Sequence, residues 1–597
     1  MKIRALPILF ALLLLPFAGC DTWDEKININ PNQPRGIDET GEGDVDVDPS
    51  VYMIPMLWGT TGDWGYSYVQ WNVIPAVCAY HGKTISLSQG NRHQSWHAFD
   101  DASLWPNLYN SIRYVRNLRN AAISADDHRY KAIADIWESW TFSVITNLYG
   151  NVPYFGPISD DPPLQAKYDK QSEIYPALLE KLKLAGESLD RNDAPVDAGS
   201  DLIFRGNIMK WKKFSNMLRL RLAMYMSMTA PDEALAIISE IWNNPDTYPL
   251  MQSNDDNALF HTDEVYRLSV FYRLEKRKIE EAPFSNVFIE LLIHLNDPRL
   301  PVIARPVQRV HTNPETHVLP SNPGPVKYAG HIYGITTDNA HSQQWNGGFP
   351  YTSALGEFFR KEDAAGIPLR ESAATPYLLA TYSEQEFFLA EAAEKGMIPG
   401  DAETHYNNAI RASLEYYGCD FASQRYLDAF GNQSLSNIAA YLDQPSVAYN
   451  GGRDKLTLIA EQKWIASLFL GFEPYFDHRR TMLPQIRASS GAENFAQAGS
   501  GTKFPSRAAY SDAERANNPA NVADAEANGY DIPIVDAATR NLARMWIIRD
   551  ADLQMPIFQE PTYPNDYPVI PGISGSGSTF RNWYDEHWNA MFWWMNE

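Results

Sequence analysis

Apolar residues recur at spacings of three and four in several separate stretches of this chain, the period of an amphipathic helix. The clearest stretch is Thr375 to Gly418. From about Pro376 to Lys395, the residues Leu378, Tyr382, Phe388, Leu389, Ala392 and Ala393 share one helical face. Gly396 follows Lys395, placing a cation and then a residue free to adopt positive φ where the helix should end. Asp401 is positioned to cap a second helix and Glu403 adds a carboxylate to its first turn. Tyr406, Ala409, Ile410, Ser413, Leu414 and Tyr417 make the second apolar face. Small residues on both faces allow the close packing of a tetratricopeptide hairpin. One hairpin cannot bury its own outer face, so further helices are expected. The pattern supplies them: a capped amphipathic helix from Ser172 to Asp190, another from Asn207 to Met228, a shorter one from Asp232 to Asn243, and an apolar, aromatic one from Lys455 to Phe472. In the second of these, Trp211, Phe214, Leu218, Leu222 and Tyr225 form a stripe, and Lys212, Lys213 and Arg219 read as its polar positions. The units share no clean period. The expected fold is therefore mostly α, a tetratricopeptide-like helical-repeat scaffold with long loop insertions and little β.

The first residues follow a different pattern. Lys2 and Arg4 precede an apolar run from Ala5 to Phe17, and Ala18-Gly19-Cys20 follows. A charged start, a short apolar run and small residues make a signal peptide, and the run is short for a bilayer span. Small-small-Cys is the pattern of bacterial lipoprotein processing, so residues 1–19 read as signal peptide and Cys20 as the lipid attachment site. Residues 20–50 are polar, acidic and rich in Pro and Gly, which reads as a tether and extended arm. Asp44, Asp46 and Asp48 imitate the start of a calcium loop, but Pro49 and Pro55 stand where its Gly and bidentate Glu belong. Residues 51–597 read as a single helical domain.

Composition narrows the function. Without Lys2 and Arg4 the chain keeps 48 basic residues against 73 acidic ones, a formal charge of −25, which argues against nucleic-acid or anionic-membrane binding. Three cysteines make no disulfide framework. With Cys20 taken, Cys78 and Cys419 remain, and whether they pair is open. The chain carries no G-x-S-x-G, no H-E-x-x-H, no phosphate-binding Gly-Lys loop and no Cys/His cluster, so no catalytic residue, cofactor or metal is expected. A glycosidase carboxylate pair is not singled out by any spacing. His478, before Arg479-Arg480, reads as a helix-end or surface group, and the acidic stretch Asn254 to Asn257 with Asp263 as a solvated turn.

Cys20, its acidic followers and Asn28-Ile-Asn-Pro-Asn-Gln-Pro34 resemble the mature start of the SusD/RagB family of outer-membrane nutrient-binding lipoproteins. Trp105-Pro-Asn-Leu-Tyr109, Ile133 to Pro153, Lys210 to Asn216 with Leu218 to Ala223, Asp297 to Pro301, Glu386 to Gly396, Glu461 to Ala466, Gly471 to Glu473, Arg479-Arg480, and Phe504 to Arg507 with Tyr510, Glu514 and Asn517 are similar to family segments, in order. Asp531 to Asn589 departs from the family as an insertion, with a Pro-rich centre from Pro556 to Gly577 and Phe592-Trp593-Trp594 beyond it. The resemblance implies four tetratricopeptide-like pairs with loops forming a ligand face, and a SusC-like TonB-dependent transporter as partner. It implies an outer-membrane, lipid-anchored protein facing the cell exterior, with Asp21, Asp24 and Glu25 as the export signal. It implies capture of oligosaccharides, or of peptides in some members.

Sugars offer apolar faces and polar rims, so capture calls for exposed rings and convergent polar groups. Two stretches fit. The first runs from Trp64 to Trp96, with Trp64, Tyr66, Tyr68, Trp71 and Trp96 as rings and His81, Gln89, Asn91, Arg92, His93 and Gln94 among the polar groups. The second runs from Lys327 to Tyr351, with Tyr333, Trp345, Asn346 and Tyr351 as contacts and His331, Asn339, His341, Gln343 and Gln344 nearby. Packing is the ordinary role of any one such ring. A third class of function, a helical-repeat module binding a partner chain in its groove, remains open.

Overall fold

The structure is a computed structural model. It describes residues 47–62, 74–81, 104–159, 161–263, 265–273, 283–307, 328, 330, 352–361, 369–419, 437–481, 483–484, 508, 510 and 512–528. The account below concerns the unit that starts at Pro49.

Helix α1 (Ser50–Thr61) packs on α2 (Leu104–Ser124), and α2 packs on α3 (His128–Tyr149). Asp127 starts α3 by accepting hydrogen bonds from the N–H groups of Arg129 and Tyr130. Nearly all of α3 is buried, so its polar side chains need partners inside the protein. Ser139, Thr141 and Ser143 donate to carbonyls of their own helix, and the Trp137 indole donates to Thr60 Oγ1 at 3.0 Å. The segment Asn147 to Pro153 that ends α3 then starts the next helix, α4 (Gln171–Ser188). Asn151 Oδ1 accepts from Gln171 N at 3.0 Å, and Asn147 Oδ1 accepts from the Tyr175 hydroxyl. The cap of α4 thus comes from a neighbouring loop; Lys170, at the N-cap position, makes no side-chain cap.

Helix α5 (Ile208–Met226) carries the predicted stripe: Trp211, Phe214, Leu218, Leu222 and Tyr225 are buried. It also buries Lys212 and Arg219, which sequence assigns to the polar side. Its approach is set by Asp201, wholly buried, whose carboxylate accepts from the N–H groups of Ile203, Phe204 and Gly206 and from the Trp211 indole. Gly206 has φ +87, and a Cβ there would meet the Val196 carbonyl at 2.3 Å, so only glycine fits. Helix α6 (Pro231–Asn243) closes this half.

The second half begins with β1 (Ala258–Phe260) and continues through α7 (Asn286–His294) to β2 (Tyr377–Ala380), which pairs antiparallel with β1. Residues 377–380 are thus a strand, where periodicity extends the helix back to Pro376. The run is buried at all four positions, and a short apolar run of that kind does not distinguish strand from helix. Thr381 caps the true helix, α8 (Tyr382–Glu394), through the Glu384 N–H. Gly396 has φ +70, with Met397 N bonding back to Ala392 O at 2.8 Å, a left-handed helix end as expected. Asp401 caps α9 (Ala402–Tyr416) as predicted, and α8 packs along α9. Helix α10 (Lys455–Ala466) ends sooner than the apolar run that continues to Phe472, and α11 (Glu473–Thr481) follows at once. Helix α12 (Pro519–Asn528) comes last. One continuous apolar core joins these helices. Cys78 and Cys419 are both buried, and no disulfide joins them. The insertion from Asp531 to Asn589 lies outside the described residues.

Candidate functional site

Trp64, Tyr66, Tyr68, Trp71, Trp96, Tyr333, Trp345, Asn346 and Tyr351 lie outside the described residues, as does Cys20. What the structure defines is the framework that carries both aromatic stretches. From the first, residues 79–81 pack against Phe284 and Ser285. Ser285 N donates to Tyr80 O at 2.7 Å, the Ser285 hydroxyl donates to Ala79 O, and His81 pairs with Phe284 in an antiparallel bridge. The second stretch re-enters the described chain at Thr352. There Phe284 N donates to Ser353 O at 3.0 Å, and Gly356 N donates to Ile303 O at 2.8 Å. A Cβ on Gly356 would lie 2.5 Å from the Val302 carbonyl, so the close approach excludes any side chain. Phe284 and Ser285 therefore sit between the two stretches and fasten both to α7.

Aromatic packing locks this junction to the scaffold. The Tyr80 ring stacks on Trp464 of α10 at 4.9 Å and 12°, and the Trp464 indole donates to Cys78 O at 3.0 Å. His81 is 1% exposed, edge-on to Phe284 and Phe469. Burial lowers its pKa to about 3, so the ring is neutral at ordinary pH. It is a core group, which removes it from the polar residues expected to face a ligand. Tyr328, at the start of the second stretch, is likewise buried, and burial raises its hydroxyl to about 12.

The charged residues of the family-like segments have an interior role. Arg221 pairs with Glu384 at 2.6 Å and Glu473 at 3.1 Å. Arg480 grips Glu391 with two bonds of 2.6 Å and also reaches Asp477, which pairs with Lys463. Lys463 lies 3.2 Å over the Phe388 ring. These groups tie α5, α8, α10 and α11 together. Burial raises the Glu473 carboxyl to about 7 against the pull of Arg221. Burial also opposes charge on Glu391, but Arg480 outweighs it and holds that carboxyl well below its ordinary value. Asp297, Arg299, Ser413, Tyr441 and Gln462 form a second buried set, with Asp297 and Arg299 joined at 2.6 Å. His478, read from sequence as a helix-end or surface group, does end a helix but is 3% exposed; burial lowers it to about 4, and its Nδ1 lies 3.1 Å from Leu483 O.

Charged side chains also gather at two further places. In the acidic stretch, Asp256 accepts from Lys213 at 2.7 Å and from Gln252 N, and Asn257 Oδ1 caps Tyr382 N. Among the described residues no group of three or more His, Cys, Asp or Glu is arranged to hold a metal. On the other flank, a cleft of about 540 Å³ lies over α2, α3 and α4, lined by Arg119, Lys131, Asp135, Lys181, Leu184 and their neighbours. Arg119 and Lys131 both pair with Asp135 there, and Lys181 pairs with Glu138. No described helix is long and apolar enough to cross a membrane.

A mostly α-helical scaffold whose one buried junction holds the described residues bordering both aromatic stretches defines the class of protein. The chain belongs to the SusD-like family, whose model, described as starch-binding and associating with the outer membrane, matches residues 66–511. Solved structures agree. A SusD homologue from Bacteroides fragilis superposes with a TM-score of 0.66 at 21% identity, covering 84% of this chain and 100% of that one. A chitin-binding protein gives 0.65 at 25% identity with the same coverage. A chitin-binding SusD homologue from Flavobacterium johnsoniae gives 0.65 at 19% identity, covering 85% and 100%. No curated protein sequence matches this chain.

Proposed function

We propose that this protein is a lipid-anchored outer-membrane subunit that captures oligosaccharides and delivers them to a SusC-like TonB-dependent transporter, without cleaving them. The observation that carries the reading is the family match across residues 66–511, which takes in both junction-anchored stretches almost whole. Similarity to a chitin-binding protein at 25% identity favours glycan as cargo. On this reading Cys20 carries the lipid, and Trp64, Tyr66, Tyr68, Trp71, Trp96, Tyr333, Trp345, Asn346 and Tyr351 supply the ligand face. Rings of this kind give area and stacking geometry at little entropic cost, while a few polar groups set orientation.

The test is calorimetry on protein lacking residues 1–20, against chitin- and starch-derived oligosaccharides and a peptide panel, with the tubes assayed for cleavage. Intact glycan should bind. Trp96→Ala and Trp345→Ala should each weaken it about tenfold, the loss of a central aromatic contact. Unchanged affinity in both variants sinks the assignment of the two stretches. Cleaved glycan overturns the non-catalytic reading, and peptide binding alone changes the cargo.

A further inference from the structure

A third segment packs at the same junction. After β1, Asp263 folds the chain into a closed turn. Its Oδ1 accepts from the N–H groups of Val265, Tyr266 and Arg267 at 2.8, 2.7 and 3.0 Å. Its own N–H donates to Arg267 O at 2.9 Å, and Oδ2 pairs with Arg267 Nη2 at 2.9 Å. One carboxylate therefore holds the N–H groups of residues 265–267. Yet the tip presents Tyr266 at 85% exposure and Val265 at 61%. Of the large hydrophobic side chains in the described residues, only Leu164 is more exposed than Tyr266. A scattered exposed apolar residue is ordinary. A ring beside a second exposed apolar side chain, on a turn that one carboxylate closes, is less so.

The turn is tied to the framework of the two aromatic stretches. Val270 N donates to the Tyr377 hydroxyl at 2.8 Å, and Phe271 O accepts from Arg360 Nη1 at 2.7 Å. Arg360 lies on the segment that emerges from the second stretch. The Phe271 ring packs on Phe469 at 5.1 Å, and Phe469 contacts His81 of the first stretch at 6.0 Å. Tyr266 is five residues from Phe271, at most about 18 Å of extended chain.

We propose that the exposed pair Val265 and Tyr266 forms an outlying saccharide subsite, in which Tyr266 stacks on the apolar face of a pyranose ring and Val265 flanks it. This rests on the glycan-capture reading and extends it: the subsite serves long chains that run past the two main stretches. Preorganisation is the benefit, because a platform already held by Asp263 loses little freedom on binding.

Calorimetry with chito- and malto-oligosaccharides of two lengths tests it on protein lacking residues 1–20. Tyr266→Ala should weaken binding of the hexasaccharide about tenfold and leave the disaccharide unchanged. Tyr266→Phe, which keeps the ring, should bind both as the wild type does. The thermal midpoint of each variant should not move, since the side chain is exposed. If Tyr266→Ala binds the hexasaccharide like wild type while Trp345→Ala loses it, the subsite is wrong and the capture reading stands. Equal weakening of both lengths overturns the outlying placement. A wild-type protein that binds neither glycan overturns the capture reading and the subsite with it.

Discussion

Two clusters of opposite charge hold this protein together, and they differ in their access to water. At the cleft over α2, α3 and α4, Arg119 bridges Asp135 and Glu138, while Lys131 and Lys181 approach the same acids from solvent. The Lys131 side chain is 50% exposed. Between α5, α8, α10 and α11, the side chains of Arg221, Glu384, Glu473, Lys463, Asp477, Arg480 and Glu391 are between 1% and 12% exposed. The chemistry is the same and the consequence is opposite. A cation at the rim that loses its partner regains water. An interior carboxylate that loses its arginine keeps its burial and loses its compensation. The interior cluster therefore fixes how the helices register, whereas the rim cluster adjusts a surface.

The largest expected effect breaks the interior cluster. Arg480→Met should cost about 3–5 kcal/mol of unfolding free energy, because Glu391 and Asp477 stay buried with only Lys395 and Lys463 to offset them in place of the bidentate guanidinium. Chemical denaturation measures it. Adding Glu391→Met to that variant should restore part of the loss, since it removes the buried carboxylate that Lys395 alone compensates. A double variant no better than the single would show that helix geometry, not the under-compensated carboxylate, carries the cost.

The next effect is a pH dependence belonging to the interior alone. Glu473 keeps its proton in the fold up to about 7, while an unfolded glutamate releases it near pH 4.3. Its stabilising contribution is therefore full below about pH 4.3 and fades as pH rises to about 7. The buried histidines act in the other direction. An unfolded histidine takes up a proton below about 6.5, whereas His478 stays neutral in the fold down to about 4. Stability from this group is present above about 6.5 and falls as pH drops toward about 4. The two trends oppose each other across roughly pH 4.5 to 6.5. Glu473→Gln should steepen the rise of stability with pH in that window, and His478→Gln should flatten it. Thermal midpoints taken through the window decide the matter, and parallel curves for wild type and Glu473→Gln would remove Glu473 from the account.

How the scaffold reads from sequence follows from the same contrast. The hairpin from Tyr382 to Gly418 is legible because its signals are local: an apolar period, Gly396 at positive φ, and Asp401 at the next start, whereas the Thr381 cap is passed over because the apolar period runs on through it. Signals that act across the fold are not legible. Tyr377 to Ala380 becomes a strand because β1 lies beside it, more than a hundred residues earlier in the chain. Arg219 and Lys212 sit at polar positions of an amphipathic pattern and are buried, because α4 and α6 close over the far side of α5. The family-like charges, Arg221, Glu391, Glu473 and Arg480, belong to helix packing. For the ligand face, sequence offers density of rings and nothing about their orientation. It also passes over Tyr266, a single tyrosine in a stretch whose acidic residues draw attention to cations instead. The signal that finds it is structural: an exposed ring on a turn that Asp263 has closed.

The smallest expected effect sharpens the comparison from the rim side. Lys131 meets Asp135 at 2.9 Å, one turn along α3, and half of its side chain is in water. Removing it leaves Asp135 with Arg119 at 2.7 Å, so no acid is stranded. Lys131→Ala should change stability by no more than about 0.5 kcal/mol, the usual size for an exposed pair four residues apart on a helix. The difference should also shrink in high salt, because screening weakens exposed pairs far more than interior ones. Arg480→Met should keep most of its cost in the same buffer. A Lys131→Ala loss as large as that of Arg480→Met, and equally indifferent to salt, would mean that exposure does not separate the two clusters and that Asp135 depends on Lys131 in a way its contact with Arg119 does not replace.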